Sequence, residues 1–274
     1  MLRMLASAVL ALVCLVALIA GRGVFAGVIM VVAAATLIDL NGILARAQAR
    51  PVVPAAALAA VGAPVVVLVS EPGRGWPRLP AVMAASMLAA FLFVLIFGRR
   101  SGAVRGVAAT LAVGATAGLA AASLLLLHDL PEGFRLVLGL GALVLIAETA
   151  TPAFRFVRRV TDRGRPERIW EGGEEQPTDQ LELPSVIVGV AVVAILLAFV
   201  AAPPFSPMFA AALAVVAFIA AVGGRHLSTG LALEAGVSRD PESLTLGDGL
   251  LLSVTAALGL AAPVAYVVAR SLLV

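Results

Sequence analysis

Nine apolar runs of nearly bilayer-spanning length follow one another along this sequence and limit the folds that are open to it. A helix needs about 20 apolar residues to cross the hydrocarbon core. By that measure the predicted spans are 4–21, 24–44, 51–70, 80–97, 103–127, 134–152, 185–202, 207–223 and 249–270. Since 62% of the 274 residues are hydrophobic, too few polar groups remain to cover a soluble domain. We expect an all-α, polytopic membrane helix bundle of about nine transmembrane helices, forming a single domain over 1–274.

The first apolar run could be mistaken for a secretory signal peptide. It is long for the apolar region of such a peptide, and no small-x-small cleavage site follows it. We therefore expect a retained first helix. Cys14, the only cysteine, lies within this run and cannot form an internal disulfide.

The distribution of arginine predicts how the chain is oriented in the membrane. All 19 basic residues are arginine, and 14 of them lie on one side of the predicted bundle if the spans alternate in direction. Because cytoplasmic segments carry the excess of positive charge, we expect a multi-pass protein of the inner (plasma) membrane, with a cytoplasmic N-terminus and an outside C-terminus. The two longer connections, 153–184 and 224–248, then face the cytoplasm. The net charge of +3 gives no reason to expect a nucleic-acid partner.

Few polar residues interrupt the predicted spans. His128 and His226 fall in predicted connections on opposite sides of the membrane, so they cannot share a metal ion. Asp39 and Glu148 lie at predicted cytoplasmic helix ends. We interpret Asp39 as a side chain that reaches the headgroups or pairs with arginine, although ionisable groups that face a bundle interior are more often functional. Two pairs of glycines, Gly114 with Gly118 and Gly139 with Gly141, predict close helix packing.

Several short motifs follow one another with a regular order. "AET" contains Glu148. "PERIWEGG" contains Arg168, Trp170 and Glu171, and its Trp170 follows Glu148 by 22 residues. Near the C-terminus, "SRDP" contains Arg239 and Asp240, and "GDG" contains Asp248. Their order, spacing and span count resemble those of the phosphatidate cytidylyltransferases, also called CDP-diacylglycerol synthases. That family carries "SDT", "PKKSWEG", "KD" and "PGHGG" in the corresponding places.

The resemblance implies a reaction of phospholipid biosynthesis. In that family CTP and phosphatidate give CDP-diacylglycerol and pyrophosphate, and Mg²⁺ and cationic side chains neutralise the phosphates. Carried over by motif, Asp240 and Glu148 are the candidate catalytic residues. Arg168, Trp170, Glu171 and Arg239 are the candidate substrate-binding residues, whereas Asp240 and Asp248 are the candidate metal ligands. Glu148 either lines the headgroup cavity or pairs with an arginine such as Arg155 or Arg158.

The departures from the family's pattern are as informative as the matches. Two aspartates and an arginine of the final signature fall on Ser253, Ala256 and Val254, and two acids of "GDLxES" fall on Arg225 and Ser228. Mg²⁺ usually takes one or two carboxylates together with phosphates, so the loss of these acids weakens the implied metal site.

Three functions therefore stay open at this point. The first is a pseudoenzyme, weakly active or silent, which keeps binding to an anionic phospholipid headgroup or to a membrane-protein partner, including a second copy of itself. The second is a working nucleotidyltransferase that uses CTP and Mg²⁺ at a relocated site. A small-molecule transporter is a third candidate, but the broken helices and midplane charges typical of transporters are lacking.

Overall fold

The computed structural model describes residues 2–72, 74–97, 103–161, 178–200, 204–236 and 250–273, and no strand occurs among them. The α-helices of these residues are α1 (Leu2–Ala20), α2 (Arg22–Arg46), α3 (Val53–Val69), α4 (Leu79–Ile96), α5 (Ala103–Val113), α6 (Ala120–His128), α7 (Gly133–Thr161), α8 (Thr178–Val200), α9 (Pro207–Glu234) and α10 (Leu250–Leu273). A 3₁₀ turn, Trp76–Arg78, precedes α4, and a π-helical segment, Gly114–Leu119, joins α5 to α6 without a break. The expected all-α class is confirmed.

Each predicted span overlaps a helix of the structure, with α5, the π-helical segment and α6 forming one continuous helix. Six helical stretches are long and apolar enough to cross a membrane: Arg22–Arg46, Trp76–Ile96, Ala103–His128, Gly133–Ala150, Pro207–Glu234 and Thr255–Leu273. Three shorter apolar helices lie at Ala8–Ala20, Val53–Val69 and Pro184–Phe199. The described residues thus have the architecture of a membrane protein, and the crossing of the three shorter helices stays a prediction.

Contacts at one end of the bundle show that α2 runs opposite to α3 and to the continuous helix that ends with α6, as alternating helix directions require. At one end, the Arg22 guanidinium at the start of α2 donates to both carboxylate oxygens of Asp129, which directly follows α6, at 2.7 and 3.0 Å. The same guanidinium donates to the carbonyl oxygens of Val67 and Leu68 at the end of α3. A cation at a helix C-terminus is favoured by the exposed carbonyl dipoles there. These contacts join three helix ends on the side that the arginine count predicts to be outside.

Glycine allows the tightest helix contacts, as the sequence predicted for three of the four glycines. A Cβ atom at Gly114 would lie 2.6 Å from the Cβ of Ala59, and one at Gly118 would overlap the Ala59 carbonyl oxygen, so the π-helical segment packs directly on α3. Gly139 lies equally close to the ring of Phe205. The packing interpretation is wrong for Gly141, since a Cβ there would meet nothing within 4 Å.

The predicted connections are shorter in the structure, because helices continue into polar sequence. α7 runs to Thr161, α8 begins at Thr178, and α9 runs to Glu234. His226 therefore lies within α9 and His128 is the last residue of α6, so neither is in a loop as expected. The length of an apolar run measures only the hydrocarbon crossing, whereas Arg, Leu, Ala and Glu all sustain a helix beyond it.

Candidate functional site

An elongated cavity of about 540 Å³ lies among α1, α2, the π-helical segment with α6, α7 and α10. Its walls are almost entirely aliphatic side chains, with the thiol of Cys14 among them. The oxygen-bearing side chains that line it are Thr36, Thr116, Thr255 and Glu148. A cavity with an apolar wall and a few grouped polar atoms is the usual form of a binding site for a small or amphiphilic molecule.

Glu148 is the only acidic residue among those that line this cavity. It lies on α7, where the apolar run ends, and its side chain is half-buried. A carboxylate retains acceptor capacity even when one partner is already present, because its two oxygens offer about four lone-pair sites. The proposed partners Arg155 and Arg158 have no described side chains. Glu148 already interacts with another group, and its remaining lone pairs can accept hydrogen bonds from a donor at this end of the cavity.

Arg225 on α9 lies beside the same end of α7. Its Nη2 donates to the carbonyl oxygen of Ala147, the residue before Glu148, at 3.2 Å. α9 can approach α10 closely here because Gly224 has no side chain, and a Cβ at this position would lie 2.7 Å from the backbone nitrogen of Ala257. The sequence had marked Arg225 only as a lost acid. The structure places its guanidinium next to the carboxylate end of the cavity.

Asp39 on α2 is fully buried, so the interpretation that it reaches the headgroups is wrong. The backbone N–H of Leu252, in the first turn of α10, donates to its Oδ2 atom at 2.9 Å. The first N–H groups of a helix have no intrahelical acceptor, and the helix dipole favours a negative charge beside them. One turn before Asp39, the hydroxyl oxygen of Thr36 lies 3.5 Å from that of Thr255 on α10.

These contacts alter the expected distribution of acids. The final helix carries Ser253 and Ala256 where the resemblance implies aspartates, but α2 supplies the carboxylate of Asp39 to the start of that helix. No local pattern links residues 213 positions apart, so sequence reasoning missed this contact. The end of the bundle near Glu148 therefore contains at least two carboxylates, those of Glu148 and Asp39. Asp39 lies one helical turn from Thr36, which lines the cavity.

Most of the candidate site residues taken from the motifs fall outside the described residues. These are Arg168, Trp170, Glu171, Arg239, Asp240 and Asp248. Within the described residues, no group of three or more His, Cys, Asp or Glu side chains is gathered in a way that could hold a metal ion. The described part of the site thus offers no complete Mg²⁺ site, and no catalytic step through Mg²⁺ follows from it.

Comparison with known proteins gives no family for this chain. No protein-family model matches it, and no curated protein matches it at a significant level. The function is therefore inferred from the chemistry and the geometry of the cavity and of its polar end.

Proposed function

We propose that this chain is a divergent phosphatidate cytidylyltransferase-like membrane protein that binds an anionic lipid headgroup and transfers cytidylyl groups weakly or not at all. The observation that carries the proposal is the hydrogen bond from Arg225 to the carbonyl oxygen of Ala147. Arg225 stands where the family has an acid of "GDLxES", and Ala147 and Glu148 belong to the "AET" that stands where it has "SDT". The hydrogen bond brings these two positions next to each other. Had these two regions lain far apart, they could not form one site, and the resemblance would not support a shared function.

Two further contacts support the same proposal. Glu148 and Thr255 line one cavity, so the end of α7 and the start of α10 face each other across it. α9 and α10 pack along each other, with Gly224 at the close approach. Three segments that stand in the places of the family's motifs, and that have described residues, therefore meet at one end of the bundle.

The loss of acids near this end disfavours catalysis, while Arg225 offers one cation to a phosphate beside the carboxylates of Glu148 and Asp39. Transfer of a cytidylyl group requires several phosphate charges to be neutralised in the transition state, usually by Mg²⁺ on carboxylates. The change from an acid to Arg225 replaces a potential metal ligand with a phosphate-binding guanidinium. Removal of a single catalytic group commonly costs about 10²–10⁴-fold in rate, so the loss of several acids is expected to leave little activity.

The proposal includes nine membrane crossings, with the Glu148 end of the bundle at the cytoplasmic face. The alternating helix directions support it, because they bring Arg22 and Asp129 to one end and Asp39 and Leu252 to the other. Single cysteines introduced at Glu71 and Glu234 in a Cys14→Ser background test it. In intact cells, an impermeant maleimide should label the first and spare the second; the reverse pattern would overturn the orientation.

Activity and lipid binding are tested on the purified protein in detergent. With CTP, Mg²⁺ and phosphatidate, we expect pyrophosphate release at least about 10²-fold below that of a family enzyme assayed in parallel. Phosphatidate should nevertheless bind, and Arg225→Gln should weaken its binding, whereas Arg74→Gln, at the opposite end, should not. Robust CDP-lipid synthesis would refute the silent or weakly active protein, and equal lipid binding by both variants would refute the headgroup site.

Asp39 favours one alternative, a working nucleotidyltransferase with a relocated metal site. This residue returns a carboxylate to the start of α10, where the family's aspartates are missing. Under the alternative, Mg²⁺-dependent pyrophosphate release is substantial and Glu148→Gln abolishes it. Glu132→Gln is the matched control, because Glu132 is half-exposed and lies just before α7, at the other end of that helix.

A further inference from the structure

We propose that the cavity holds one hydrocarbon chain of a membrane lipid, which enters sideways between α1 and α7 and points its polar head towards Glu148. This inference rests on the proposed function, in which the protein binds lipid. It goes further by assigning the place of the chain, its direction and its route of entry.

The length of the cavity matches one leaflet of a bilayer. Along α7 its lining extends from Val137 to Glu148, which at 1.5 Å per helical residue is about 16 Å. Along α2 it extends over the same distance, from Phe25 to Thr36. Half of a hydrocarbon core about 30 Å thick is about 15 Å. A hydrocarbon chain about as long as one leaflet is thick can therefore fill the cavity. Phe25 lies three residues from the first residue of α2, whereas Thr36 lies ten residues from the last one, so the head of such a lipid lies inside the bundle, below the heads of its neighbours.

Polar groups are concentrated at one end of the cavity. Glu148 and Thr36 are the last lining residues of α7 and α2 at this end, and Thr255 of α10 faces Thr36 there. The remaining length is lined by aliphatic side chains, apart from Cys14 and, near the middle, Thr116. The head of the lipid therefore belongs at the Glu148 end. Arg225 does not line the cavity, but its hydrogen bond to the carbonyl oxygen of Ala147 holds its guanidinium beside this end.

The energetics favour an occupied cavity. A lipid chain gains no hydrophobic free energy on moving from the bilayer into an apolar cavity, because both environments are apolar. An empty cavity, however, leaves its lining atoms without dispersion contacts on one side. A chain restores these contacts, so the polar end must supply the selectivity among lipids.

The entry route follows from residues that both line the cavity and face outwards. On α1, Leu12 is 60% exposed; on α7, Leu138 and Leu145 are each 36% exposed, and Ala142 is exposed as well. These residues form the two edges of an opening between α1 and α7. In a membrane this opening faces lipid chains, so a chain can enter the cavity sideways from the bilayer.

Gly141 allows the cavity to be filled without disturbing the packing. It lines the cavity, and an added Cβ would meet nothing within 4 Å. Gly141→Leu should therefore place a side chain where the lipid chain lies. Gly27→Leu is the matched control: Gly27 lies on α2, also has nothing within 4 Å of an added Cβ, and does not line the cavity.

The test uses purified full-length protein and three probes that share one acyl or alkyl length: lysophosphatidate, phosphatidate and the long-chain alcohol. Native mass spectrometry measures retained lipid, and alkylation of Cys14 by N-ethylmaleimide reports where the lipid lies. We expect bound lipid to slow Cys14 alkylation. We expect Gly141→Leu to lower retention several-fold, because the leucine side chain takes the place of part of the lipid chain and removes its dispersion contacts with the cavity wall. Gly27→Leu should retain lipid as the wild type does.

The outcomes separate this inference from the proposed function. Loss of binding in Gly141→Leu without preference for phosphate-bearing probes would support the chain site and refute the anionic headgroup site. Preference for phosphate, with full retention in Gly141→Leu or unprotected Cys14, would refute the chain site alone. If the Gly141→Leu protein is not monodisperse, Gly141→Val is used in its place. Lipid retention by Gly141→Val equal to that of the wild type would also overturn the inference.

Discussion

The carboxylate of Asp39 accepts a hydrogen bond from the backbone N–H of Leu252 across 213 positions of sequence. This hydrogen bond joins the C-terminal half of α2 to the first turn of α10, and the Thr36–Thr255 hydroxyl contact lies one turn away from it on both helices. The two polar contacts fix the relative position of two cavity walls, which brings Thr36 and Thr255 to the polar end of the cavity.

Replacing Asp39 should destabilise the protein through the first turn of α10. Asp39→Ala removes the acceptor of a buried N–H group, which typically costs about 1–3 kcal/mol of unfolding free energy. Asp39→Asn keeps an acceptor oxygen and loses only the charge–dipole attraction, so about 0.3–1 kcal/mol is expected. Unfolding in mixed SDS micelles measures both values. Glu71→Ala, whose side chain is 71% exposed, should change little; equal losses for Asp39→Ala and Asp39→Asn would contradict this account.

The Arg22–Asp129 ion pair should show a measurable coupling free energy. The carboxylate is 2% exposed and the arginine side chain 30%, so screening by solvent is reduced but not removed. A double-mutant cycle of Arg22→Gln and Asp129→Asn should give a coupling of about 1–2 kcal/mol in unfolding free energy. The matched cycle is that of Arg74 and Glu71, whose side chains are 79% and 71% exposed; it should give about 0–0.5 kcal/mol. Similar couplings for the two pairs would show that burial does not set their strength.

Two glycine-to-alanine substitutions should have opposite effects on stability. A methyl group at Gly118 overlaps the backbone of Ala59, so Gly118→Ala should force the π-helical segment away from α3 and cost about 1–3 kcal/mol. At Gly141 the methyl group meets nothing, and the better helix propensity of alanine should add about 0.5–1 kcal/mol of stability. Thermal unfolding of both variants in one detergent gives the comparison. A stabilised Gly118→Ala would show that the two helices are not in close contact.

Two threonines distinguish an interhelical hydrogen bond from a local one. The Thr110 hydroxyl accepts from the backbone N–H of Val52 at 2.8 Å, before α3, and donates to Gly106 within its own helix. Thr110→Val leaves a buried N–H group without this acceptor and should cost about 0.6–2 kcal/mol.

The control for this prediction is Thr116→Val. The Thr116 hydroxyl donates only to carbonyl oxygens of its own helix, so its loss should cost less than about 0.5 kcal/mol. Urea or SDS unfolding of the two variants gives the values, and equal costs would show that the contact to Val52 contributes nothing to stability.

Hydrophobic patterning determined the helical class and the approximate place of each helix. Every predicted span overlaps a described helix, because an apolar run of bilayer length is a local signal that needs no knowledge of distant residues. The ends were predicted less well: α7 and α9 continue to Thr161 and Glu234, since polar residues with good helix propensity extend a helix beyond the hydrocarbon. The prediction that Gly114, Gly118 and Gly139 allow close helix packing was correct, because small residues commonly serve that purpose in membrane helices.

Tertiary structure alone decided which polar groups meet. The sequence placed Asp39 at a helix end, but only the packing of α2 against α10 brings its carboxylate to a backbone N–H far along the chain. Likewise, the sequence showed only that Arg225 stands where the resemblance implies an acid. The fold places its guanidinium next to the carbonyl oxygen of Ala147. Gly141 matches its packed neighbour Gly139 in sequence context, yet it lines a cavity. The physical reason is common to all three: hydrophobicity acts residue by residue and can be read locally, whereas hydrogen bonds and cavities depend on which distant surfaces are brought into contact.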